Sequence, residues 1–116
     1  MPGVEELLGP VAARAQAEVQ RRLGGFLGGM LRAYLPQVWV FVTDRGTASL
    51  RVAPDGSASV VPGPLAPADV TIEVGHARLE AALAGRADAG GTPPRVTTHS
   101  AKGKAAFDYL RGRLGL

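Results

Sequence analysis

The sequence predicts a single α+β domain in which helices cover an open, mostly antiparallel sheet of five strands. Three observations carry this. Residues 66–86 change period midway, from the two-residue repeat of a strand to the spacing of a helix. Residues 38–61 hold three strand-like runs separated by short turns, and both ends of the chain place apolar residues at helical intervals. With 116 residues, 46% of them hydrophobic, the chain can build one core without cross-links.

From the N-terminus, Val4, Leu7, Leu8, Val11, Ala15, Val19 and Leu23 recur at helical spacing, with Glu18, Gln20, Arg21 and Arg22 on the polar side. Pro10 suits a first turn, where its missing N–H does no harm, so the spacing predicts a long helix over about 10–23. The pairs Gly24-Gly25 and Gly28-Gly29 each cost a helix about 1 kcal/mol per residue relative to alanine. A break is expected there, then a short irregular or helical stretch through Phe26–Tyr34 that closes an N-terminal helical region over 1–35.

Val38-Trp39-Val40-Phe41-Val42-Thr43 is β-branched and aromatic without polar alternation, as in a central strand buried on both faces. After the turn Asp44-Arg45-Gly46, Ala48, Leu50 and Val52 alternate with Ser49 and Arg51. Pro54-Asp55-Gly56 is a turn in which glycine accepts positive φ, and Ser57–Val61 returns as a third strand of a meander. The proline-rich run Pro62–Pro67 is read as a connection outside any ladder. Val70, Ile72 and Val74 then alternate with Thr71 and Glu73, and after Gly75 the residues Leu79, Ala82 and Leu83 share one side of a short helix. Loop residues 87–94 lead to Arg95–Ser100, a weak edge strand. Ser100 is placed to cap a last helix with Ala106, Phe107, Leu110 and Leu114 as its apolar stripe, and Arg111 and Arg113 near its end.

Charge and composition exclude more than they select. A net charge of +3 is one solvated basic face, a small bias toward anionic lipid or nucleic acid. Aromatics are 5% of the chain and do not interleave with the basic C-terminal residues, which argues against a nucleic-acid stacking platform. Glu5 and Glu6 stand where a signal peptide needs positive charge, so the expected location is cytoplasmic. Leu23–Thr43 is apolar enough to weigh as a membrane span, but Arg32 in its middle costs about 3 kcal/mol on insertion. There is no cysteine, and His76 and His99 are read as ordinary surface or cap histidines. His99 and Ser100, as strand neighbours, point to opposite faces and make no nucleophile–base pair. No glycine run has phosphate-binding spacing. The expectation is a non-enzyme without cofactor or metal.

Ala68-Asp69-Val70-Thr71-Ile72, followed by Leu79, Leu83 and Gly85-Arg86, resembles the middle of the sterol-carrier-protein-2-like family of lipid-binding domains. The Asp55-Gly56 hairpin is similar to the family's, and Arg95-Val96-Thr97 with Lys102-Gly103-Lys104 stands in the place of its last strand. The chain departs from the family at Ala89–Pro94, which replaces a segment usually bearing phenylalanine and methionine. The resemblance covers residues 38–116 and, more loosely, the region before. It implies a hydrophobic cavity between sheet and helices for a fatty acyl, sterol-like, isoprenoid or quinone ligand, with the last helix as wall or lid. The residues placed nearest that cavity are Leu50, Val52, Val70, Ile72, Leu79, Leu83, Phe107, Leu110 and Leu114. The same residues could instead be plain core. The alternative reading is therefore an accessory protein with a filled cavity that works through a homodimer or partner surface around Phe26–Tyr34. Transient membrane contact would go through Lys102, Lys104, Arg111 and Arg113.

Overall fold

In the computed structural model, which describes residues 3–25, 32–84 and 94–110 (the Leu110 side chain aside), alternation and turn chemistry build one sheet. Its strands are β1 (Gln37–Thr43), β2 (Gly46–Val52), β3 (Ala58–Pro62), β4 (Val70–Glu73) and β5 (Arg95–Thr98). Their spatial order is β3-β2-β1-β4-β5. The first three form the expected antiparallel meander, β4 runs parallel to β1, and β5 closes the sheet antiparallel to β4. Helix α1 spans Val4–Leu23, α2 His76–Leu83 and α3 Ala101–Leu110, with a short 3₁₀ turn at Arg32–Tyr34. This is the element order that the sequence and the family resemblance led us to expect.

Register decides the inner face. Trp39 lies opposite Leu50 and Val70, and Phe41 opposite Ala48 and Ile72, so the alternating apolar residues of three strands point the same way. Helix α1 packs across β2 and β3, and α3 lies on the 3₁₀ turn and against β1, β4 and β5. Both ends of α1 are fastened to turns of the meander. Val4 meets Gly46 of the β1–β2 turn, and Val19, Gln20 and Leu23 crowd Gly56 of the β2–β3 turn. Gly56 has φ +89°, and a Cβ there would lie 2.8 Å from Gln20 Cγ, so glycine is required twice over. Gln16 Oε1 accepts the Ala58 N–H at 3.0 Å and holds the start of β3 to the same helix.

The structure corrects four expectations. Helix α1 starts at Val4 rather than near residue 10, and Pro10 lies inside it with its ring in solvent. A proline inside a helix costs about 3 kcal/mol. Burying Val4 and Leu8, at about 1.5–3 kcal/mol each, offsets that. Pro62 is not outside the ladder but ends β3 opposite Ala48, an edge position where no N–H is needed. Ser49, on the outward phase of β2, is fully buried because the chain after β3 folds over it. Its hydroxyl donates to the Gly63 carbonyl at 2.8 Å and accepts the Leu65 N–H at 3.0 Å. Lys102-Gly103-Lys104 lies in the first turns of α3, as the Ser100 cap implies, and not in the last-strand place that the family resemblance gave it. The β5 strand stands at the edge with all four residues exposed, as read from the sequence.

Candidate functional site

The residues expected to line a cavity converge on the helix-covered face. Leu50, Val70, Ile72, Leu79 and Phe107 belong to one buried cluster with Leu8, Val11, Ala15, Trp39 and Phe41. Val52 is buried on the same face of β2, and Leu83 packs half-buried against the cluster. The Leu110 side chain, Leu114, Arg111, Arg113 and the stretch 26–31 lie outside the described residues. The cluster is closed: its most exposed member, Phe107, shows 9% of its surface. Trp39 and Phe107 bridge sheet and last helix, their ring centroids 5.4 Å apart and tilted by 52°.

A polar junction holds α3 against the starts of β1 and β4. Asp69, only 7% exposed, accepts the Val38 N–H at 2.9 Å on Oδ2 and the Ser100 hydroxyl at 2.7 Å on Oδ1. The Ser100 oxygen in turn caps α3 by accepting the Gly103 N–H at 3.0 Å, which is the cap the sequence suggested. Gln37 spans the junction, donating to the carbonyls of Tyr34 at 2.6 Å and Lys102 at 3.0 Å and accepting the Trp39 indole N–H at 3.0 Å. Lys102 Nζ donates to the Pro36 carbonyl at 2.6 Å and sits 3.6 Å from Asp69 Oδ1. Each of these polar groups has a partner within the fold, so the junction clamps α3 to the sheet. Sequence reasoning saw Asp69 only as part of a strand motif. A polar residue just before an alternating run was the available signal.

His76 departs most from expectation. Read as a surface or cap residue, it is 1% exposed and faces inward with Leu79 from the start of α2. Its backbone N–H donates to Asp44 Oδ1 at 2.7 Å, so an aspartate from the β1–β2 turn caps the helix across space. Neither ring nitrogen has a hydrogen-bond partner among the described residues. His99, by contrast, is exposed and bonds Thr71 Oγ1 through Nε2 at 2.8 Å.

The His76 N–H holds the Asp44 carboxyl below the usual carboxylate range, with a smaller effect from its own backbone. A carboxyl so depressed contributes stability in full above its unfolded value of about 4, and loses it as pH falls through the folded value. The melting-temperature gap between wild type and Asp44→Ala should therefore be largest at neutral pH and close on acidification below about pH 4. A gap that stays constant with pH would mean that the charge of the cap contributes nothing.

Among the described residues no group of three or more His, Cys, Asp or Glu side chains could hold a metal, and no helix is long and apolar enough to cross a membrane.

No family model matches this chain, and no curated protein does. Among solved structures, a double mutant of the sec-alkyl sulfatase PisA1 superposes with a TM-score of 0.63 at 16% identity, covering 94% of this chain and 16% of that one. The likeness is one of fold, shared with a small part of a much longer protein. The apo form of sterol carrier protein 2 from Yarrowia lipolytica matches 93% of this chain and 83% of its own, at 18% identity and a TM-score of 0.46. At that score the superposition is too loose to carry an argument.

Proposed function

We propose that this domain binds a hydrophobic, lipid-like molecule between the sheet and its helices, as a cytoplasmic, non-enzymatic carrier. One observation supports this most. Helix α1 lies over β2 and β3, and α3 lies toward β4 and β5, while apolar side chains of β1, β2 and β4 and of α1, α2 and α3 meet in one buried cluster between the layers. A ligand entering there would be held by burial at about 25 cal/mol per Å² of apolar surface. Transient membrane contact during loading is part of this reading. Such a carrier, purified gently, should show an added mass in native mass spectrometry that organic extraction removes and identifies as a fatty acyl, sterol-like, isoprenoid or quinone compound. Ligand-free protein that also takes up no apolar fluorophore would overturn the proposal.

The closed cluster favours a second reading, in which the cavity is filled and the domain is an accessory protein acting through a homodimer or partner surface. Ligand-free protein that is dimeric by ultracentrifugation would select it.

A further inference from the structure

We infer that the molecule held in this domain carries a neutral hydroxyl and that the His76 ring binds it. The inference rests on the carrier reading above and deepens it. His76, Leu79 and Leu83 recur at helical spacing along α2, so the imidazole occupies the first position of the stripe that presents Leu79 to the core. An imidazole at that position is costly, because a buried donor and acceptor without partners each forfeit the hydrogen bond they had in water. Buried side-chain polar atoms are nearly always paired, and both nitrogens here are unpaired among the described residues. The other buried polar side chains among the described residues follow the rule: Asp69, Gln37 and Ser49 all have partners. The exception is a ring in helical register with Leu79, a member of the buried apolar cluster.

The charge at the start of α2 narrows the ligand. Asp44 places an ionised carboxylate against the start of α2, 2.7 Å from the His76 backbone nitrogen, and thereby uses the helix end that would otherwise attract an anion. A fatty carboxylate would meet that charge at close range. An ammonium head would have to shed its water next to an apolar cluster. A hydroxyl avoids both penalties and can either donate to the bare ring nitrogen or accept from the protonated one.

The test uses the whole protein and a neutral apolar fluorophore, N-phenyl-1-naphthylamine, displaced by 1-dodecanol, dodecanoate or 1-chlorododecane. Wild type should be emptied by dodecanol at lower concentration than by either of the others. His76→Leu should weaken dodecanol about tenfold, the equivalent of one hydrogen bond, and leave 1-chlorododecane unchanged. His76→Gln, which keeps a donor and an acceptor, should recover part of the loss. In wild type the ¹⁵N resonances of the His76 ring should move with dodecanol and stay still with 1-chlorododecane, a readout that holds even if the leucine variant folds poorly. Displacement by all three compounds with no dependence on residue 76 and no ring shift would overturn the hydroxyl inference while leaving the carrier reading intact. Failure of wild type to bind the fluorophore or any competitor would overturn both.

Discussion

Gly103→Ala is expected to destabilise the domain by about 3 kcal/mol, although alanine favours a helix over glycine by about 1 kcal/mol. The reason is a close approach. A Cβ on Gly103 would lie 2.5 Å from the Asp69 carbonyl oxygen and 2.9 Å from its carbonyl carbon. Those atoms belong to backbone and cannot swing aside. The Asp69 carbonyl accepts the His99 N–H at 2.8 Å, while its carboxylate holds Val38 and Ser100, so moving it disturbs β1, β4 and the cap of α3 together. Chemical denaturation of the variant measures the effect. A gain in stability would mean that helix propensity wins and that α3 is seated farther from β4 than the 2.5 Å approach to the Asp69 carbonyl oxygen implies.

Leu79→Ala should have a comparable effect, about 2–5 kcal/mol, as for other leucines truncated in well-packed cores. Leu79 is 1% exposed and joins α2 to the cluster built on Trp39, Phe41 and Ile72. The variant also separates the two functional readings. In a carrier, Leu79 borders the ligand, and truncation should change uptake of an apolar fluorophore several-fold along with stability. In a filled core the stability loss appears alone. A loss below about 1 kcal/mol would show that α2 is only loosely seated on the sheet.

How much of this could be read from residues alone varies with the range of the interaction. The alternation of Val70 and Ile72 with Thr71 and Glu73, the Asp55-Gly56 turn, the Ser100 cap and the stripe of α1 are products of neighbours a few positions apart, and each is found where the sequence placed it. The start of α1 is not legible locally: the Pro10 rule places it near residue 10, and the burial of Val4 and Leu8, which only packing on the sheet provides, moves it to Val4. The inward set Leu50, Val70, Ile72, Leu79 and Phe107 was legible as apolar periodicity. That these five meet depended on the parallel pairing of β1 with β4.

By itself, then, the sequence determined the α+β class, the order of the elements and the apolar faces of α1, β2 and β4, since period and turn chemistry are short-range properties. Tertiary structure alone decided which polar residues go inside. Ser49 finds its acceptor 14 positions away, Asp69 reaches Val38 across 31, Asp44 reaches His76 across 32, and Gln37 reaches Lys102 across 65. A polar side chain is stable in the interior only where such a partner is delivered, and delivery is set by strand register and helix docking, which no local pattern encodes. His76 departs from that rule: its ring has no partner among the described residues, and its burial is set by the docking of α2 rather than by any local pattern.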